Sequence, residues 1–338
     1  MTALPWHRAA LRRLLSDRAR LPHALLVQGA PGIGKVEFAR ALAASVLCES
    51  PRDGLACGEC PSCHWFSQGN HPDFREIVPE SAAEEDEAEG EAEAKADKPK
   101  SMVIKIEQIR AIADLVALST HRAGYRVLLF HPAESFHPNA ANALLKTLEE
   151  PPPHTLIILV TAYPARLLPT IRSRCRTLAL GTPDTREAVE WLRGQAVDDP
   201  GTALAAAGGA PLLARDLAQP EEAELRRRVV AELSKPSGAD ALGFAAAIDR
   251  PRMERFVYWL QTWVSDLLMV RLAGAPRHHV GAAAALSARA KTADVEALFE
   301  LDRELAEARR LASHPLNPRL LAEHLLMAYN RAVLGTRP

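Results

Sequence analysis

Long apolar runs are missing from this chain. No uninterrupted hydrophobic stretch approaches the ~20 residues a helix needs to cross a bilayer, although 48% of the 338 residues are hydrophobic. The first twenty residues carry scattered arginines and lack the apolar centre of a secretion signal, which predicts a cytoplasmic protein. A strong charge of either sign is also absent, the formal net charge being −1. That balance hides an asymmetry. Glu84, Glu85, Asp86, Glu87, Glu89, Glu91 and Glu93 form one block with no Lys or Arg among them, and without these seven the charge rises to +6. The remainder is therefore mildly basic, which gives weak support to association with nucleic acid. From Ser81 to Lys100 there is no large apolar residue at all. Such a segment cannot bury surface, and it predicts a disordered or solvated surface insertion without chemistry of its own. At this length the chain exceeds one simple core and divides into two or three domains.

What is present is organised around one stretch. Leu25-Leu26-Val27-Gln28 reads as a buried strand, Gly29-Ala30-Pro31-Gly32-Ile33-Gly34-Lys35 follows, and an alanine-rich helix runs on to Cys48. Gly29 to Lys35 fits G-x-x-x-x-G-K, in which backbone N–H groups of Gly29, Gly32 and Gly34 cradle phosphate and Lys35 reaches the β/γ oxygens. The eighth position, where a hydroxyl would ligate magnesium, is Val36. A branched alkane cannot coordinate a hard cation. The second strand, Arg126-Val127-Leu128-Leu129-Phe130, repeats the deficit. Such a strand should end in Asp for magnesium and Glu for water, but His131-Pro132-Ala133-Glu134 stands there. Glu134, about a turn further on, is a poor substitute as the base. A pocket of this kind is built for nucleotide and is expected not to hydrolyse it.

Cys48, Cys57, Cys60 and Cys63 are four of only five cysteines. Their C-x8-C-x2-C-x2-C spacing suits four thiolates closing on structural zinc, and a cytosolic compartment disfavours the disulfide alternative. His64 is available as a replacement ligand, although four thiolates already complete the set. Further strands are expected near Phe74 to Val78, at Val103-Ile104 and at Leu156 to Val160, with helices over Pro5–Arg20, Glu107–Ser119 and Asn142–Glu150. Alternation of this kind predicts an open, mostly parallel α/β sheet. Beyond Leu180 the strand signal fades and the chain reads as helix. Phe256, Trp259, Leu260, Trp263 and Leu267 form a packing stripe, and Arg226-Arg227-Arg228 reads as a solvated helix face.

Several of these residues together resemble a known family. Leu21-Pro22-His23-Ala24-Leu25-Leu26, the phosphate loop, the four cysteines, His71-Pro72-Asp73, Asn142 through Pro152 and Ser173-Arg174-Cys175 resemble the AAA+ clamp-loader subunits of bacterial DNA polymerase III. The likeness covers Pro5 to about Leu213. It implies an α/β AAA+ P-loop domain with a zinc knuckle over 1–180, a small helical lid over 181–218 and an all-α collar over 219–338. It implies that Arg174 projects as an arginine finger into a neighbour's ATP site. The implied partners are the gamma/tau and delta subunits, with the sliding clamp and primer-template DNA reached through the complex, and no membrane. Val36, His131 and Pro132 separate the chain from the family's ATP-hydrolysing motors, which keep the hydroxyl and the Asp-Glu pair. Because Gly34-Lys35 survives, ATP binding without turnover stays open. The rival readings are an active motor with an unusual metal arrangement and a zinc-dependent DNA-binding module. Clustered Lys/Arg beside the cysteines, which the latter would need, is missing.

Overall fold

The computed structural model describes residues 3–83, 101–117, 124–311 and 317–335. The acidic block lies outside the described residues. The chain divides into two compact units, Met1–Asp184 and Thr185–Pro338.

The first unit is built on five parallel strands among the described residues: β1 (Ala24–Gln28), β2 (Phe74–Ile77), β3 (Arg126–Phe130), β4 (Thr155–Thr161) and β5 (Arg176–Ala179). Their order is β2-β3-β4-β1-β5. The central strands β3 and β4 are buried along their whole length. This is why they read as continuous Val, Ile and Leu rather than alternating, since helices cover both faces of a parallel sheet. Register follows from matched apolar pairs, Leu26 against Leu159 and Leu128 against Ile157. Each such side chain contributes roughly 1.5–3 kcal/mol when fully buried. The strand order puts the carboxyl end of β1, between β4 and β5, where the chain turns into the phosphate loop.

Two local expectations need correction, and one strand goes beyond them. Pro5–Arg20 is not one helix: a 3₁₀ turn (Pro5–His7) leads into an α-helix (Arg8–Leu15), and Arg18–Arg20 forms a second 3₁₀ turn. Val103-Ile104 is no strand, because only Ile104 bridges, to Phe136. Strand β5 was unanticipated. It is an edge strand whose Arg176, Thr177 and Ala179 are exposed, so it lacks the apolar run that marks its siblings.

In the second unit the described elements are helical. The long helix Arg250–Ala273 starts where the Asp249 carboxylate accepts the Arg252 N–H (3.1 Å) and stops at Gly274 in the left-handed region. Its expected stripe, Phe256, Trp259, Leu260, Trp263 and Leu267, is fully buried. Trp263 donates to the Tyr329 hydroxyl (3.0 Å), which donates to the Leu233 carbonyl (2.7 Å). This ties the helices Pro220–Leu233 and Pro318–Leu334 to the long one. Of the three consecutive arginines only Arg227 and Arg228 are solvated. Arg226 is half-buried, its guanidinium 5.5 Å from the Trp259 ring centre. Among the described residues, no helix is long and apolar enough to cross a membrane.

Candidate functional site

The phosphate loop has the backbone its glycines predict. Gly32 and Gly34 take positive φ (74° and 88°), and a Cβ at Gly29 would come within 2.5 Å of the Leu180 carbonyl oxygen. The helix Lys35–Leu47 begins immediately after Gly34. Two side chains from the preceding turn brace the loop. Trp6 Nε1 donates to the Ile33 carbonyl at 3.0 Å, and His7 Nε2 lies 2.9 Å from the same oxygen. Lys35 is nearly buried, and its ammonium donates to the Ala30 carbonyl (2.7 Å). Burial lowers its pKa, while the charges of Glu134 and Glu37 act in the opposite sense. Glu134 therefore lies near enough for its charge to act on the lysine. One of its oxygens accepts the Ala162 N–H (3.3 Å).

The magnesium side of the pocket is differently furnished. Val36 brings no oxygen. His131 sits at the end of β3, where the Asp would be, and its Nε2 is paired with Glu76 of β2. Arg40 of the loop helix holds the same carboxylate from its Nε, at 2.9 and 3.1 Å. Burial pushes Glu76 upward, but hydrogen bonds from His131 and Arg40 outweigh it and keep the carboxyl below its usual range. Glu76 was not evident from sequence as part of this site. Its partners come from elements 36 and 55 residues away. The His131-Pro132 peptide is cis.

The four cysteines converge as expected. Cys48 lies at the end of the loop helix, and Cys60 caps the helix Pro61–Ser67, accepting the Cys63 N–H (3.4 Å). All four sulfurs lie within 4.8 Å of one another. The Cys48–Cys60 and Cys57–Cys63 separations are both 3.9 Å. A tetrahedron with Zn–S bonds of ~2.3 Å has edges of about 3.8 Å, so the cluster fits zinc in size and donor type. Backbone N–H groups of Glu59 and Cys60 point at Cys57 Sγ (3.5 and 3.3 Å) and pull that thiol down to about 6. Burial pushes Cys63 up to about 12. Four thiols so close cannot all ionise unaided, and a bound cation would supply the compensating charge. His64 stands outside the cluster, 3.1 Å from Gln68 Nε2.

His71 secures this knuckle to the sheet. Its ring donates through Nε2 to Ser62 Oγ (2.7 Å), which donates to the Leu47 carbonyl (2.7 Å), and its Nδ1 accepts the Asp73 N–H (3.1 Å). The His-Pro-Asp motif is thus a buried clasp between the cysteine cluster and β2.

Arg174 follows the short helix Pro169–Arg172 and is partly exposed. Its Nη1 donates to the Thr170 carbonyl (3.0 Å) and its Nη2 pairs with Glu149. Neighbouring Cys175 is buried, which pushes its thiol up to about 11 and removes it as a reactive group.

A family model described as "DNA polymerase III, delta subunit" matches residues 8–184. DNA polymerase III subunit delta' of Pseudomonas aeruginosa is 39% identical over 235 residues, 68% of this chain and 66% of that protein. The chain belongs to the DNA polymerase III delta-prime family. The delta' subunit of Escherichia coli K12 is 32% identical over 282 residues, covering 81% of this chain and 77% of the relative. The tau subunit of the same organism is 34% identical over 176 residues, 52% of this chain but 24% of that longer protein. The part shared with tau is thus about half of this chain.

Proposed function

We propose that this delta-prime family chain is a non-hydrolysing member of the clamp-loader ring and completes the ATP site of a neighbouring motor subunit. The observation that carries the reading is a contrast within one domain. The phosphate loop keeps its backbone but has an alkane and a Glu76-bound imidazole where magnesium ligands belong, whereas Arg174 stands at the surface. Transfer of a γ-phosphoryl group spreads negative charge over its oxygens. A guanidinium supplied in trans stabilises that charge and is worth ~10³–10⁵ in rate in related systems.

In this reading the residues divide the work. Gly29, Gly32, Gly34 and Lys35 form a vestigial cradle. Cys48, Cys57, Cys60 and Cys63 would hold zinc, whose contribution is a rigid cross-link at the end of the loop helix. The lid (181–218) and collar (219–338) form the helical part, the collar carrying assembly with gamma/tau and delta subunits. The sliding clamp and primer-template DNA are reached through the complex.

The test is ATPase in a reconstituted loader. The isolated chain is expected to show no magnesium-dependent turnover, and Arg174→Ala is expected to cut clamp-stimulated ATPase at least tenfold while the complex still assembles. Turnover by the isolated chain, abolished by Lys35→Ala, would instead identify a motor.

A further inference from the structure

Arg174 is folded back onto its own chain. Both terminal nitrogens, the pair that grips a phosphate side-on, are engaged internally, one by the carbonyl of Thr170 four residues earlier and one by Glu149. Glu149 is the last residue of the helix Pro138–Glu149. A carboxylate is disfavoured there, because the carbonyl end of a helix already carries partial negative charge. The pairing with Arg174 relieves that conflict. Both side chains remain open to solvent, at 35% and 50% exposure. An exposed pair of this kind is weak and exchanges readily for a better anion.

We infer that Glu149 is the resting partner of Arg174, a carboxylate that competes with the neighbour's γ-phosphate for the same guanidinium. This inference rests on the finger reading of Arg174. The finger then has two positions. In one, Glu149 and Thr170 hold it against its own domain. In the other, it extends across the subunit boundary to a phosphate of higher charge. Glu149 thereby lowers the occupancy of the extended position until ring closure brings the phosphate within reach. Glu149 is not a catalytic residue, since it never touches ATP.

The experiment uses the reconstituted loader containing the full chain, with ATPase followed against ATP concentration, with and without clamp and primed DNA. Glu149→Gln keeps size and shape but gives up the charge. It is expected to raise the unstimulated rate, by about fivefold at most, with the stimulated maximum unchanged. The increase should shrink at high salt and vanish in Glu149→Gln/Arg174→Ala. Glu149→Asp, which retains the charge on a shorter arm, should fall between wild type and Glu149→Gln and serves if the amide variant fails to assemble. An unstimulated rate that stays level or falls in assembled Glu149→Gln complexes overturns the resting-partner role. Wild-type ATPase in Arg174→Ala alone overturns the finger reading instead, so the two failures are distinct.

Discussion

The ammonium of Lys35 closes on the carbonyl oxygen of Ala30, five residues back in its own loop, at 2.7 Å. A lysine that satisfies a neighbouring carbonyl is not presented to a phosphate, and the lack of magnesium ligands removes the usual reason for it to move. Calorimetric titration of Mg–ATP into the isolated chain should therefore show no saturable binding tighter than about 1 mM, or about −4 kcal/mol. Lys35→Ala should leave that baseline in place. A micromolar isotherm lost in Lys35→Ala would contradict the closed-loop account.

Restoring the strand-end acid should harm the fold rather than revive catalysis. In His131→Asp a second carboxylate would face Glu76, whose present partners are His131 and Arg40. Loss of the bond and like-charge repulsion in a half-buried site should cost about 1–3 kcal/mol. The expected outcome is a lower denaturation midpoint and no ATPase, even when combined with Val36→Thr. A double variant that gains turnover would show that the ligand set is only two substitutions from function.

The cysteine cluster makes a stoichiometric prediction. Purified protein should carry one zinc, and Cys60→Ser should release it. Proton competition for the thiolates means that metal loss sets in as pH falls. The sheet unit should lose at least about 2 kcal/mol, a drop of about 4–8 °C in melting temperature at about 2–4 °C per kcal/mol. Metal analysis and a thermal scan check both numbers, and a zinc-free protein of unchanged stability would remove the metal assignment.

Acid should weaken the helical unit for a nameable reason. His279 is packed edge-on against Trp259 and Trp263, at 6.0 and 5.5 Å between ring centres, and burial lowers its pKa to about 3. Nearby Arg226 and His278 push the same way, while Asp266 opposes them. The folded state therefore refuses a proton that the unfolded chain accepts near its ordinary value of 6.5. The contribution is complete above that pH and is lost as pH falls toward 3, by up to about 1.4 kcal/mol per pH unit. His278 is shifted in the same direction, also by burial. Urea midpoints for the helical unit should drop between pH 7 and 5, and His279→Gln should flatten that slope by about one proton. An unaltered slope would mean that the ring is protonated in the folded state.

How much of this was legible in the residues depends on distance along the chain. The loop from Gly29 to Lys35, the four cysteines and the stripe from Phe256 to Leu267 are local patterns, in which spacing alone dictates which side chains share a turn or a face. Strand β5 was not legible, because Arg176 to Ala179 is a solvent-exposed edge with no apolar signature. The same applies to Glu76, Glu134 and Glu149. Nothing in a single acidic residue declares which cation or amide it will meet 25 or more residues away. The four buried residues of the clasp, Leu47, Ser62, His71 and Asp73, were visible only as a short motif at His71-Pro72-Asp73. Its purpose emerges once the knuckle and β2 are adjacent.

The order of the sheet also has a bearing on biosynthesis. Among the described residues strand β1 pairs with β4 on one side and β5 on the other, so Leu26 waits for Leu159 and then for Thr177 before both of its edges are satisfied. A nascent chain must leave the ribosome almost as far as the second unit before its earliest strand can settle. Until then that apolar segment is exposed to whatever chaperones attend the tunnel exit.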